Sequence, residues 1–324
     1  SVPLTYFSGV GSLARRGVLA KGAVYLDRLA GVKVAAFDKT GTLTEGKFSI
    51  ANVNGGERVL LLAAAAEKNS SHPLAQAFSD VKVKGAQSCE ELSGLGLSAV
   101  VDGKTVLVGS GRLMAERGIQ YEAVAGSNLA VYVAEDGVFL GSVEIEDRVR
   151  SEAVDALNGL KKAGIKHIAV LTGDTRERAE TSLSSLPVDE ICAELLPDEK
   201  PKHAERLKEQ GTLLYVGDGI NDTPVMTASD ISFAMGGLGS DAAIETSDFV
   251  LAGDSLSAIP KAIKGAKKTR KIVIENILLS IGIKIGLMAL SLCGVIPLWA
   301  AVLGDTGVML LAVLNSMRMR LQIK

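Results

Sequence analysis

Short apolar runs alternate with amphipathic stretches over most of the chain. Residues 32–37, 165–171 and 212–216 are apolar and rich in β-branched side chains, and residues 231–235 and 249–251 repeat the pattern. Runs of that length predict buried strands. Between them, residues 152–163, 176–186 and 198–210 carry apolar positions at helical spacing. Strands alternating with helices predict a parallel sheet covered by helices, with ligands binding beyond the carboxyl ends of the strands. The first three runs lead into Asp38, into Thr172, Gly173 and Asp174, and into Gly217, Asp218 and Gly219. Three strands therefore deliver aspartate to one edge.

Residues 48–141 break this rhythm. Asp102-Gly103 and Asp136-Gly137 interrupt the apolar stretches 100–108 and 131–143, as the turns of tight antiparallel hairpins do. Helices are expected over residues 57–68 and 74–78. The segment is an α+β domain inserted between the first and second strands of the parallel sheet.

The two ends of the chain differ from its body. Residues 272–317 carry 3 charged side chains in 46 positions, and residues 1–14 carry none. Residues 277–296 and 298–317 are apolar runs whose only charges are Lys284 and Asp305. Each run makes a helix of about 30 Å, the thickness of a bilayer core. Lys261, Lys264, Lys267, Lys268, Arg270 and Lys271 precede the pair, and Arg318, Arg320 and Lys324 follow it. Basic flanks at both outer ends predict a multi-pass protein of the cell membrane, partnered by the lipid bilayer, with its soluble domains in the cytoplasm. The first 14 residues lead into Arg15, Arg16 and Lys21 without a charged leader or a cleavage site, which reads as the cytoplasmic exit of a membrane helix.

Composition narrows the classes. The 35 basic and 37 acidic residues leave a net charge of -2, and no aromatics interleave the basic flank, so nucleic acid is not an expected partner. The three cysteines, Cys89, Cys192 and Cys293, are too few for a disulfide framework and form no Cys-x-x-Cys metal knuckle.

The chemistry concentrates at the strand ends. A carboxylate such as Asp38 can attack a phosphoryl group and form an acyl phosphate. That reaction needs Mg²⁺ and positioned donors to neutralise the phosphoryl oxygens. Asp218 and Asp222 offer the hard oxygen ligands that Mg²⁺ prefers, Thr172 a hydroxyl, and Lys200 a point positive charge.

The runs DKTGTLT at 38–44, TGD at 172–174, LPDEK at 196–200 and GDGIND at 217–222 resemble the signature motifs of P-type ATPases, within the haloacid-dehalogenase-like superfamily. The resemblance implies an α/β fold: a haloacid-dehalogenase-like parallel-sheet phosphorylation domain, an inserted α+β nucleotide-binding domain, and C-terminal transmembrane helices. In those terms residues 1–20 end a membrane helix, 21–47 and 142–263 form the phosphorylation domain, 48–141 the nucleotide-binding domain, and 264–324 a basic stalk with two membrane helices. The resemblance also implies that ATP phosphorylates Asp38, within the matched Asp38-Lys39-Thr40 run, and that Asp38 and Asp218 hold Mg²⁺. Thr40 would meet the γ-phosphate, and Thr172 and Lys200 the phosphoryl oxygens. Asn221 and Asp222 would complete the site, and Gly173 with Asp174 would shape the nucleotide–phosphate junction. Phosphatases of the superfamily carry a second aspartate two residues after the nucleophile. Here Thr40 stands there and cannot accept a proton at neutral pH, so the acyl phosphate is expected to be long-lived.

A lone histidine before proline is usually a turn residue, and a Gly-x-Gly pair is weak by itself. In context, Glu67, the Ser-His-Pro-Leu run at His72, Gly94-x-Gly96 and Gly109 resemble the nucleotide domain of heavy-metal-transporting P-type ATPases, where the histidine and glycines receive the adenine end of ATP. Ser110 departs from the asparagine common in that family. Asn276, Lys284 and Asp305-Thr306-Gly307 resemble the Zn²⁺/Cd²⁺/Pb²⁺ class, with Asp305 implied as ligand of the transported ion and Lys284 as its counter-cation. The motifs of the copper and cobalt-like classes are absent. No Thr-Gly-Glu loop and no Cys-Pro-Cys run is present, so the chain is expected to be the C-terminal half of a pump. Its missing N-terminal half, carrying the actuator domain and most membrane helices, would be its partner. Two alternatives stay open: a membrane-tethered phosphatase and a non-catalytic nucleotide-binding subunit.

Overall fold

The parallel sheet expected from the apolar runs is present in a computed structural model of the chain. The structure describes the backbone of residues 2–68, 70, 72–92, 94–124, 129–218, 222–237, 241–295 and 297–321, and their side chains except at 73, 298, 300–303, 305 and 319–321. Two units result, one of residues 1–43, 151–173 and 185–324, the other of residues 44–150 and 174–184.

In the first unit a sheet of seven strands runs Val18–Ala20, Phe249–Leu251, Ile231–Met235, Leu213–Gly217, Val34–Asp38, His167–Leu171 and Glu190–Cys192. All neighbours are parallel except the edge strand Val18–Ala20. The four apolar central strands are buried almost throughout, as strands covered on both faces must be. Phe37, Tyr215, Phe233 and Phe249 are fully buried, and the Phe233 and Phe249 rings stack at 4.6 Å. The register pairs Phe37 with Val216 and Asp38 with Leu171, which brings the carboxyl ends of three strands level.

Besides the shorter helices that connect the strands, this unit has helices Val2–Ala14, Ala258–Leu292 and Leu298–Leu321. Among the described residues one helix, the 35-residue Ala258–Leu292, is long and apolar enough to cross a membrane. Its later half exposes Leu278, Ile281, Ile285 and Met288. The first helix approaches it closely because Gly9 has no Cβ; one built there would lie 2.7 Å from the Thr269 hydroxyl. A buried polar knot ties the three helices together. Asn276 Nδ2 donates to the Ala312 carbonyl at 3.2 Å, to Ser316 Oγ at 3.1 Å and to Thr5 Oγ1 at 3.4 Å. Asn315 Nδ2 donates back to Asn276 Oδ1 at 2.8 Å.

The second unit is an antiparallel sheet of six strands in the order Thr44–Asn54, Val138–Val149, Leu129–Glu135, Lys104–Gly109, Gly96–Val101 and Ser88–Leu92. Helix Glu57–Glu67 packs Val59, Leu62, Ala63 and Ala66 against Val106, Val108, Val133 and Val143. Both expected hairpin turns are made with positive φ at both central residues: Asp102 at 50° and Gly103 at 77°, Asp136 at 47° and Gly137 at 82°. The unit is wider than residues 48–141 because its two longest strands pair as far as Thr44 with Val149. Those extensions are rich in charged residues, and the sequence pattern gives them no buried run to mark them.

Candidate active site

At the carboxyl edge of the seven-stranded sheet, Asp38 ends its strand and residues 39–43 turn away in a tight loop. Gly41 makes the loop possible: its φ is +72°, and a Cβ there would lie 1.7 Å from Asp218 Oδ2. Asp218 follows the next strand, Leu213–Gly217, and Asp222 precedes helix Thr223–Ala228. Carboxylate oxygens of Asp38, Asp218 and Asp222 all lie within 4.8 Å of one another.

Helix Lys200–Lys208 points its first residue at this cluster. Lys200 Nζ donates to Asp38 Oδ1 at 2.5 Å and to Asp222 Oδ1 at 3.1 Å. Tyr215 donates its fully buried hydroxyl to the same Asp222 oxygen at 2.8 Å. Burial would lower the Lys200 pKa, but the two carboxylates outweigh it and raise the value, so the amine stays charged. Lys200 bonds two of the three carboxyls, which still crowd one another. Burial first, and then the charge of Asp222, push the Asp38 carboxyl up to about 7. Such crowding is the environment a hard divalent cation relieves, and the oxygen-only donor set fits Mg²⁺.

Thr172 is buried at the end of the adjacent strand, with its backbone fixed by bonds to Cys192 O and from Leu195 N. Lys39 is buried beside Asp38, whereas Thr40 is exposed. Gly173 closes the first unit, and Asp174 clusters with the second.

In the second unit, Glu67, His72, Gly94, Gly96 and Gly109 line one cavity of about 220 Å³. Apolar walls come from Leu95, Leu97, Leu129 and Val131. Glu67 Oε2 is buried there without a hydrogen-bond partner among the described residues, and burial raises the carboxyl's pKa. His72 accepts from the Leu74 amide through Nδ1 at 3.2 Å, capping a short helical turn, so its proton sits on Nε2. Gly96 and Gly109 pair across two strands, and a Cβ on Gly96 would meet Val108 O at 2.3 Å. Their glycine character therefore serves the close approach of the strands that form the cavity wall. Ser110 donates its hydroxyl to Leu95 O at 3.1 Å.

The haloacid dehalogenase-like hydrolase family matches residues 32–230, which include every group of the Asp38 cluster. The chain belongs to that family. Within it, a zinc-transporting ATPase of Synechocystis sp. is 42% identical over 98% of this chain and 46% of its own length. A cadmium, zinc and cobalt-transporting ATPase of Bacillus subtilis is 42% identical over 100% of the chain and 48% of its own. A crystal structure of a zinc-transporting PIB-type ATPase in its E2.Pi state superposes with a TM-score of 0.88 at 35% identity, covering 98% of this chain and 55% of that one. The chain thus spans about half the length of the curated relatives it matches.

Asn221 of the haloacid dehalogenase-like site, and Lys284 and Asp305 of the expected ion site, need separate placing. Asn221 lies outside the described residues. Lys284 is exposed on the long helix, and Asp305 belongs to helix Leu298–Leu321 with its side chain outside the described residues. The two helices touch nearby, since a Cβ on Gly304 would lie 2.5 Å from Leu287. Two members escaped the sequence reading. Tyr215 reads as one more apolar strand residue, and only its hydroxyl's partner reveals it. Gly41 stood inside a motif, but its role is fixed by a side chain 177 positions away.

Proposed function

We propose that the chain is the catalytic part of a membrane pump that uses ATP to export Zn²⁺ and Cd²⁺, and Pb²⁺ by the same soft divalent chemistry, through an aspartyl phosphate at Asp38. The observation that carries this reading is the buried Asp38 carboxyl held at its strand end by Lys200. A carboxylate oxygen of Asp38 attacks the γ-phosphorus, the bond from that phosphorus to the β,γ-bridging oxygen breaks, and ADP departs with the electron pair. Lys200 orients the attacking carboxylate and meets the developing negative charge. Tyr215 and Lys200 hold Asp222 in place, while Thr172, Lys39 and Thr40 border the phosphoryl group. Mg²⁺, for which Asp38 and Asp218 are the ligands, supplies charge neutralisation when bound. The second unit's cavity receives the adenine end, its orphan Glu67 oxygen and His72 Nε2 supplying polar contacts and its leucines the apolar surface.

In this reading Asp305 binds the transported ion and Lys284 competes for its carboxylate, which assists release. Both lie in a multi-pass membrane region, which further helices and an actuator domain from another half of the pump would complete. The soluble units face the cytoplasm.

Incubation with γ-labelled ATP and Mg²⁺ is expected to give an acid-stable, hydroxylamine-sensitive label that Asp38→Asn removes. Label that survives the substitution sinks the reading. Hydrolysis of a small phosphate ester without label identifies a tethered phosphatase instead, and ATP binding with neither identifies a nucleotide-binding subunit. In the complete pump, Zn²⁺-stimulated hydrolysis that is unchanged by Asp305→Ala overturns the ion assignment.

A further inference from the structure

Helix Ala258–Leu292 changes character along one face. Lys267, Arg270, Lys271, Ile274 and Leu278 recur at intervals of three and four, which makes them a single stripe, cationic first and apolar beyond. With Glu275, and with Ala30 of helix Ala23–Gly31 as the facing wall, they line an open groove of about 410 Å³. Ile274 and Leu278 are 47% and 66% exposed in it.

The charges at the groove do not cancel. Glu275 is already engaged by Arg318 at 3.7 Å, and Arg270 by Asp27 at 3.3 Å. Lys271 has no hydrogen-bond or ion-pair partner among the described residues. Lys267 donates to the neutral Ala163 carbonyl, and burial together with the nearby Lys33 charge lowers its pKa. A rim of three cations facing the single carboxylate of Asp27, with Lys271 left without a partner among the described residues, thus adjoins an apolar floor.

We propose that this groove binds one anionic phospholipid at the cytoplasmic surface of the membrane. The lipid phosphate meets Lys267, Arg270 and Lys271, and the upper acyl chain lies along Ile274 and Leu278. The inference rests on the long helix crossing a bilayer, as the proposed function requires. Charge complementarity selects the occupant. A zwitterionic lipid brings its own cation to a rim that already has an excess, and a free phosphate leaves the aliphatic floor uncovered. From Lys271 to Leu278 the helix rises about 10 Å, comparable with the depth of one headgroup layer. Basic clusters just cytoplasmic of a membrane helix select anionic lipid on the same grounds.

The test is native mass spectrometry of the purified chain, exchanged from detergent into nanodiscs of mixed phosphatidylglycerol and phosphatidylcholine and then released. The wild type is expected to retain the anionic lipid on the order of tenfold over its mole fraction. Lys267→Gln with Lys271→Gln brings retention to near parity. Lys261→Gln with Lys264→Gln, the same charge change on the same helix outside the groove, keeps the preference. Parity in the wild type overturns the proposal, as does equal loss in both double variants, which means diffuse attraction and no site. A chain that stays soluble and never enters nanodiscs removes the membrane reading itself, whereas a chain that inserts without lipid preference removes only this site.

Discussion

The Asp38 cluster and the Asn276 knot are both buried and polar, yet their electrostatic states are opposite. Around Asn276, neutral groups satisfy one another: the amide donates to three acceptors and its carbonyl accepts from Asn315. Around Asp38, three carboxyls crowd within 4.8 Å while Lys200 bonds two of them, and burial with that crowding pushes the Asp38 carboxyl up to about 7. A cluster that holds helices together satisfies its own groups, because an unpaired one would cost roughly 1–3 kcal/mol. A cluster that receives a cation and a phosphoryl group must leave them something to complete. Stability and reactivity are thus separated within one unit.

The largest test of this contrast is Asp38→Asn. Label from ATP is expected to fall by at least about a thousandfold, because an amide is no nucleophile for phosphorus. The same variant, freed of one buried carboxylate, should melt a few degrees higher than wild type in EDTA at pH 8. It should also gain less from added Mg²⁺. A lower melting temperature in EDTA would mean that the Lys200 ion pair outweighs carboxylate crowding, and the contrast would fail.

Gly41→Ala comes next. Its Cβ would collide with the Asp218 carboxylate, and the residue would be held at a φ that alanine resists. Displacing a metal ligand should cut labelling by about 10- to 100-fold, with a stability cost of roughly 1–2 kcal/mol. Labelling within error of wild type would show that Asp218 has room to move and that the cluster is looser than its packing implies.

Asn276→Ala probes the other side of the comparison. It leaves Thr5, Ser316 and Asn315 short of a partner, and the expected loss is about 1–2 kcal/mol of stability in nanodiscs. Labelling of Asp38 should stay within about twofold, because the knot shares no group with the cluster. A large loss of label without loss of stability would assign Asn276 a part in the chemistry.

What the sequence disclosed follows the same division. The strands ending in Asp38, Thr172 and Gly217 were legible because burial on both faces demands continuous apolar runs. The Asp-Gly turns were legible because positive φ restricts residue choice. The hydroxyl of Tyr215 was not, since a tyrosine in a strand looks the same whether its tip is bonded or idle. Asn276 drew notice only through family resemblance, which placed it near the ion path; its partners at positions 5 and 316 could not be read from local spacing. The edge strand Glu190–Cys192 was missed because it is three residues long and opens on a charge.

That edge strand supports the smallest and most specific prediction. Glu190 accepts from Arg206, from His167 at 3.0 Å and from the Cys192 thiol at 3.3 Å. Burial alone would raise the carboxyl's pKa, but these donors outweigh it and hold the value below its ordinary 4.5. A carboxyl that is more acidic folded than unfolded adds stability above its unfolded pKa and loses it as pH falls through the folded value. The carboxyl is half-buried and Arg206 reaches it from solvent, so Glu190→Gln should cost no more than about 1 kcal/mol at pH 7. As pH falls below 4.5 the difference from wild type should shrink. The thiol is the internal control: burial and then Glu190 raise Cys192 to about 11, so alkylation at pH 8 should spare it and modify exposed Cys89 first. In Glu190→Gln the thiol should react faster, because a neutral amide no longer opposes the thiolate. A stability difference that persists unchanged at pH 3 would mean that shape, and not charge, holds this edge.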